Sequence, residues 1–327
     1  MLLFSKKFIL AYLIAITFSS ILTATLSKVT TIIKENGQVI HFLSDLHQID
    51  NKYNDINQKQ LDTFIETLKI VEDSSPRGLY ILIESAPSNY NRQPGILTGL
   101  IRLFKELNAQ KTVIENIDIR KVAGAAYSLS SNCFNIGSLD CKSPEVIASA
   151  QESYGCCLDK FSSQDMFNEF NYYINIFTNY ANICNNQLLK SEFEERLRAC
   201  KEKIPHIKYI LEEELKFDLS KNFLESYLNC TSPKATLTTM EYLSKLILEI
   251  GTPLMDLYTI FRINTLENVP QLIVIAGRTH IENVTSMLIK TSYSLDVKSL
   301  SIAKKSSGEI PFNLLTKSFL QVLSRIK

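Results

Sequence analysis

Apolar runs of strand length alternate with amphipathic segments of helix length at both ends of the chain, and this alternation strongly constrains the fold. VTTII and VIHFLSD are β-branched runs separated by KENG, whose Asn-Gly step is typical of a hairpin turn. GLYILIES and TVIENID follow, each after a segment with apolar residues at helical spacing. This order predicts an α/β fold with a mostly parallel central sheet flanked by helices.

The alternation stops in the middle of the chain and resumes near its end. Between about 143 and 251 we find helical faces and no convincing strand. A helix through PLMDLYTIFRI, the apolar run QLIVIAG, a helix over 279–291, the strand SLDVKSLSI and a C-terminal helix then follow. We therefore predict an α/β core formed by residues 28–130 and 252–327 and interrupted by an all-helical insertion over 131–251.

The insertion is rich in cysteine, since all seven cysteines of the chain lie inside it. In a chain that carries an export signal, clustering of this kind predicts disulfides that cross-link one subdomain in an oxidising compartment. Because the number of cysteines is odd, at least one thiol stays outside these disulfides. A zinc site is the first alternative, but there is no CxxC pair and His206 is the only nearby imidazole. Buried free cysteines in a cytosolic protein are the second. The seven are Cys133, Cys141, Cys156, Cys157, Cys184, Cys200 and Cys230.

Residues 1–27 have the pattern of a secretory signal. Lys6 and Lys7 precede an uncharged stretch over 8–27, and small residues near its end suit a signal peptidase. The same stretch is nearly long enough to span a bilayer, so an uncleaved anchor is the alternative. The segment predicts a periplasmic or secreted protein, or one that is anchored to the membrane by residues 8–27.

The charge balance excludes two classes of partner. Lys and Arg number 35 against 34 Asp and Glu, which gives a net charge of +1 and no broad positive surface for a nucleic acid or an anionic membrane. We therefore expect no nucleic-acid partner, and membrane contact only through an uncleaved N-terminal segment. The hydrophobic content of 45% is ample for a packed core.

Polar residues follow four of the predicted strands where each strand ends. Ligands of α/β proteins bind beyond the carboxyl ends of the strands, so we expect these side chains to converge on one site. Two of the four histidines of the chain take part, whereas His41 is predicted inside a strand and His206 at a helix start on the insertion surface. The alternative is that the chain merely turns to solvent at these points. The strand-end residues are Asp45, His47, Glu84, Asp118, Arg120, Gly277 and His280.

These motifs resemble those of the TraB/Tiki superfamily and its erythromycin-esterase-like and ChaN-like relatives. That pattern is a His after the first strand, a Glu after the second, a charged segment, and a GxxH near the end. The SDLH and GRTH motifs also look like parts of calcineurin-like metallophosphoesterases, but the GNH motif of that family is absent. The TraB/Tiki resemblance covers roughly residues 38–130 and 253–291, although the first His stands in SDLH rather than in a GxxH. It maps onto His47, Glu84, Asp118, Arg120, Asp256, Tyr258, Arg262, Gly277 and His280.

The resemblance implies hydrolysis of a peptide or ester bond, with or without a divalent metal, although the superfamily also contains haem-binding and non-catalytic proteins. In one mechanism His47, Glu84 and His280 hold the metal ion and Arg120 stabilises the oxyanion. In the other, His47 or His280 acts as general base and Glu84 orients it. Substrates would be small molecules or peptides.

A secreted binding protein is the alternative from another functional class. It would bind a protein partner through the aromatic segment FNEFNYYINIFTNY of the insertion, although such a stripe is more often the core of its own subdomain.

The helix PLMDLYTIFRI adds a geometric expectation. Tyr258 and Arg262 are four residues apart and share a face, whereas Asp256 lies about 120° around the helix from Arg262. Tyr258 and Arg262 either border the site or pack against the insertion.

Overall fold

The computed structural model describes residues 26–34, 36–45, 79–84, 112–135, 144, 147–148, 158–230, 237–291 and 296–301. These residues form two compact units. The first holds the described residues up to 117 and from 262 onward, and the second holds residues 118–261. The strands are β1 Leu26–Ile33, β2 Val39–Asp45, β3 Leu79–Ile83, β4 Thr112–Asn116, β5 Gln271–Gly277 and β6 Asp296–Ser301. The helices are α1 Lys121–Asn135, α2 Ser163–Ile183, α3 Gln187–Tyr209, α4 Phe223–Leu228, α5 Leu237–Thr265 and α6 Arg278–Thr291, and a π-helical turn, Ile210–Glu214, continues α3.

The first unit is built on one mixed sheet with the strand order β4-β3-β5-β2-β1-β6. The pairs β3–β4, β3–β5 and β2–β5 are parallel, while β1 is antiparallel to both β2 and β6. The prediction of an α/β fold with a mostly parallel sheet is therefore confirmed. Phe42, Leu82 and Val274 in the three inner parallel strands are fully buried, which explains why those strands are predominantly apolar.

Lys34 and Gly37 close the predicted hairpin turn. The Gly37 amide donates to the Lys34 carbonyl at 2.9 Å, and Gly37 adopts a φ of 81°, which glycine reaches without a steric penalty. Beside the turn, the Gln38 side chain donates to the carbonyls of Leu266 and Val269 at 2.7 and 2.9 Å. The hairpin is thus tied to the loop that leads into β5.

Strand ends decide where the predicted site residues lie. β2 and β5 have the predicted bounds, so Asp45 ends β2 and stands opposite Gly277 in the parallel register. β4 ends at Asn116, so Asp118 and Arg120 lie beyond the strand end. His47, the predicted helices after β2 and β3, the predicted C-terminal helix and most of the segment 1–27 lie outside the described residues.

The second unit is helical in its described part, apart from one isolated bridge between Ser162 and Asn222. α2 begins with a capping box in which Ser162 and Asp165 bond each other's backbone amides. The predicted α2 face is buried at Met166, Phe170 and Phe177. His206 is exposed as predicted, but it does not start a helix. Pro205 lies inside α3, so His206 belongs to the last turn of that helix.

Three cysteine side chains fall within the described part of the chain, and Cys133 is described only as a backbone position of α1. Cys184 and Cys200 carry thiols outside any disulfide, and Cys200 is buried, which raises the pKa of its thiol to about 11. Cys230 Sγ lies 2.9 Å from the Leu215 carbonyl. The other four cysteine side chains are outside the described part, so the disulfide prediction stays a prediction. No helix within the described ranges combines the length and apolarity needed to cross a bilayer.

Candidate active site

Glu84 follows β3 directly, and its carboxylate is fixed by β5. The Glu84 amide donates to the Ile275 carbonyl at 2.8 Å, which extends the β3–β5 ladder past the strand end. Glu84 Oε2 accepts a hydrogen bond of 2.7 Å from the Gly277 amide. Because α6 begins at Arg278, this carboxylate sits at a helix N-terminus, where a negative charge is favourable. These hydrogen bonds hold Glu84 in place, and the residue is only 7% exposed.

His280 meets the other oxygen of the same carboxylate. It lies in the first turn of α6, it is 9% exposed, and its Nε2 is 3.6 Å from Glu84 Oε1. The three-residue spacing of the GxxH motif produces this geometry, because the strand ends at Gly277 and the helix turns His280 back toward that end. Gly277 does not adopt a positive φ, and the strand passes directly into the helix after it.

The 3.6 Å separation limits what the pair can do. It is longer than a hydrogen bond, whose N···O distance is about 2.7–3.2 Å. Two ligand atoms about 2.1 Å from one ion at a tetrahedral angle lie about 3.4 Å apart. The pair therefore has room for a shared ion, or it can tighten into a carboxylate–imidazole pair when the ring takes up a proton. No group of three metal-ligating side chains occurs among the residues that the structure describes, a set that lacks His47.

No family model, curated protein or solved structure matches this chain. The case for a site therefore rests on the geometry of its own residues. Of the predicted strand-end residues, the structure brings together Glu84, Gly277 and His280, with the backbone of Asp45 at the same edge of the sheet.

Asp118 and Arg120 belong to the second unit and bind each other. Asp118 Oδ1 accepts from the backbone amide and from Nε of Arg120 at 3.1 and 2.8 Å, and Oδ2 accepts from Nη2 at 3.1 Å. The pair is an Asx-type turn closed by a bidentate ion pair. A β-carbon on Gly251 would lie 3.1 Å from Arg120 Cδ, so the glycine in α5 leaves room for this side chain.

The three polar residues predicted on α5 have three different surroundings. Asp256 is fully buried in the second unit, with Oδ2 at 3.9 Å from Arg196 Nη1. The Tyr258 ring packs edge-on against Tyr173. Arg262 is assigned to the first unit, whereas Tyr258 is assigned to the second.

Arg262 forms a network with strand residues whose partnership the sequence did not indicate. Its Nε and Nη2 donate to the two Glu115 carboxylate oxygens of β4 at 2.6 and 2.7 Å. Nη2 also donates to Tyr80 Oη at 3.2 Å, and Tyr80 donates to Glu115 at 2.6 Å. Hydrogen bonding to Glu115 raises the pKa of Arg262. The network joins the end of α5 to the sheet and is structural in character.

A second described histidine, His41, is buried inside the sheet. His41 lies inside β2 as predicted, and its Nδ1 is 3.0 Å from Thr31 Oγ1 on β1. Burial lowers the pKa of His41 to about 4, so the ring is neutral in the folded protein. His280 is thus the described histidine that stands at the carboxyl edge of the parallel strands, which makes it the leading candidate for proton transfer or metal ligation.

Proposed function

We propose that Glu84, Gly277 and His280 form the active site of an exported hydrolase that cleaves a peptide or ester bond in a small-molecule or peptide substrate. One observation carries the proposal. A carboxylate anchored by a helix N-terminal amide faces an imidazole at 3.6 Å, beyond the carboxyl ends of parallel strands. This is the position where α/β proteins place their ligands. The resemblance to the TraB/Tiki superfamily supports the same reaction class.

In the metal-free version His280 is the general base. It takes a proton from water, and Glu84 stabilises the resulting imidazolium because the carboxylate is already held 3.6 Å from Nε2. The Gly277 hydrogen bond holds the carboxylate in place. His47 is the alternative base that the motif implies. Stabilisation of oxyanion charge by Arg120 stays a prediction from the resemblance.

In the metal-assisted version Glu84, His280 and His47 hold the ion. The spacing of Glu84 Oε1 and His280 Nε2 fits this reading, because it is close to the separation of two ligands of one ion. A divalent metal would polarise the substrate and lower the pKa of a bound water. The chain would contribute two neutral imidazoles and one carboxylate, a common ligand set of catalytic zinc sites.

The test compares His280→Ala and Glu84→Gln with His206→Ala, which removes an exposed histidine of α3 as a matched control. Metal content, thermal midpoint and turnover of a peptide and ester panel are measured on all variants. Both site variants should lose metal or turnover while stability changes by about 1 kcal/mol or less for His280→Ala, since strand-end residues contribute little core packing. Retained metal and turnover in both site variants would refute the proposed site, and strong unfolding of both would make them structural.

A binding protein is the less favoured function because the aromatic segment of the insertion is occupied within its own unit. Phe170 and Phe177 are fully buried, and the Tyr180 ring contacts both Phe193 and Phe261 at 5.1 and 5.2 Å between centroids. Tyr172 is the exception and is 60% exposed. Most of the stripe therefore packs the helical unit rather than presenting a surface to a partner.

We also propose export and a cysteine-rich, disulfide-bonded insertion. β1 begins at Leu26, so cleavage after Ala24 would leave the strand whole, whereas cleavage after Ser27 would remove its first two residues. With Cys184 and Cys200 outside any disulfide, at most five cysteines remain for bridges. This allows no more than two disulfides, which would tie the neighbouring segments of the insertion.

A further inference from the structure

A motif for N-linked glycosylation occurs twice in the chain, and the proposed chemistry uses neither copy. The motif is Asn-X-Ser/Thr, where X is any residue except proline. One copy is Asn229-Cys230-Thr231, which begins at the end of α4, and the other is Asn283-Val284-Thr285 in α6. Because a motif this short also occurs by chance, the surroundings of each copy decide whether it suits a glycan.

Asn229 is exposed at the C-terminal end of α4. Its backbone amide donates to the Glu225 carbonyl at 3.0 Å, which fixes the main chain at this position. Among the described residues, only the backbone of Asn229 forms hydrogen bonds, so a substituent on the side-chain nitrogen breaks no contact there. A bulky, polar glycan on Asn229 would therefore extend into water without disturbing the packing of the helical unit.

The residues on either side of Asn229 are anchored in the core. Tyr227 is 3% exposed and Cys230 is 4% exposed. The Cys230 Sγ lies 2.9 Å from the Leu215 carbonyl, and the Cys230 amide donates to the Tyr227 carbonyl at 3.2 Å. Since the chain is held at both of these residues, the exposure of Asn229 between them is a property of the fold.

The second copy of the motif has different surroundings. Asn283 is half-buried inside α6 and takes part in an interaction of its own. Val284 and Thr285 are 1% and 7% exposed. The Thr285 hydroxyl, which the motif requires, donates to the Ile281 carbonyl of the same helix at 2.7 Å. The fold therefore presents the first copy of the motif to solvent and packs the second.

We propose that Asn229 is the acceptor of an N-linked glycan, which is transferred from a lipid-diphosphate-linked oligosaccharide in the export pathway. The proposal rests on the proposed export of the chain and is independent of the hydrolase activity. In the transfer, the Asn229 side-chain nitrogen forms a bond to the anomeric carbon of the oligosaccharide and loses a proton to solvent. The bond from that carbon to the diphosphate oxygen breaks, and the lipid diphosphate leaves with its electron pair.

The test is expression of the full chain, with its own N-terminal segment, in eukaryotic cells whose secretory pathway contains an oligosaccharyltransferase. Mobility on a denaturing gel is compared before and after treatment with an amidase that removes N-linked glycans. The parent should carry one glycan that the amidase removes. Asn229→Gln and Thr231→Ala should both lack it, because each destroys the same motif. Asn283→Gln removes the other motif and is the matched control, which should keep the glycan of the parent.

The outcomes separate the glycosylation site from export. Protection of the chain from added protease inside intact microsomes reports export by itself. If the chain is not exported, residues 1–27 are replaced by an established secretory leader and the comparison is repeated. An exported parent without a glycan would overturn the proposal, as would a glycan that persists in Asn229→Gln. A mass measurement of the parent peptide that contains Asn229 gives the same decision without any variant.

Discussion

Acidification should destabilise the sheet through His41, a buried neutral histidine that the proposed chemistry does not use. Unfolding exposes the ring, whose pKa then rises from about 4 to its ordinary 6.5. Between these two pH values the unfolded chain binds a proton at His41 that the folded protein does not bind. The contribution of His41 to stability is therefore complete above pH 6.5 and is lost as pH falls toward 4. At about 1.4 kcal/mol for each pH unit, the loss between pH 7 and pH 4 is about 3 kcal/mol.

The variant His41→Asn isolates this contribution. Asn places its amide close to the position of Nδ1, so it retains a partner for Thr31 Oγ1, which lies 3.0 Å from that nitrogen and pairs with His41 in the β1–β2 register. The variant is expected to be less stable than the parent at pH 7 because it fills less of the core. Its stability should then fall less steeply on acidification, by about 3 kcal/mol over the same interval.

Urea unfolding followed by circular dichroism at pH 4, 5, 6 and 7 gives the free energy of unfolding for both proteins. Other acids and histidines titrate in both, so the difference between the two pH profiles reports His41 alone. Parallel profiles would refute the reasoning, because they would mean that the His41 ring is as easily protonated in the folded protein as in water.

Three further predictions concern the ion-pair network, the cysteines and the hairpin. A double-mutant cycle between Arg262 and Glu115 should give a coupling of about 1–3 kcal/mol, as expected for a bidentate pair, and a value near zero would contradict a structural role. Non-reducing peptide mapping of protein from its native compartment should find disulfides only within the insertion, with Cys184 and Cys200 alkylated as free thiols; seven alkylated thiols would contradict both disulfides and export. Gly37→Ala should cost about 1 kcal/mol because of its positive φ, and an unchanged thermal midpoint would contradict that conformation.

The sequence predicted the inner strands well because they obey a local rule. A strand with neighbours on both sides and helices on its faces must be largely apolar, and the buried residues Ile40, Phe42 and Leu43 of β2 and Leu272 to Ala276 of β5 follow this rule. The GxxH motif also predicted that His280 lies in the first turn of the helix after β5. The end of a strand and the first turn of a helix fix Gly277 and His280 relative to each other.

The sequence did not predict the contacts between residues that are far apart in the chain. Arg262 was expected to border the site or pack against the insertion, but its partner is Glu115, which was read only as part of a strand. Glu169 gave no signal either, although its carboxylate accepts two backbone amides at the start of α1. The sequence also did not predict that Arg120 and Glu84 belong to different units of the fold.

The strand order carries a consequence for how the protein is made. β5 lies between β2 and β3, and the parallel register pairs Val39 with Gln271 and Tyr80 with Leu272. While the ribosome is still synthesising residues before 271, β2 and β3 have no strand to join them, and their apolar edges stay open. The described residues of the helical unit all lie between 118 and 261, ahead of β5 in the chain, so this unit can pack earlier. Completion of the sheet must therefore wait for β5, so a nascent chain of this protein needs protection from aggregation until translation has passed that strand.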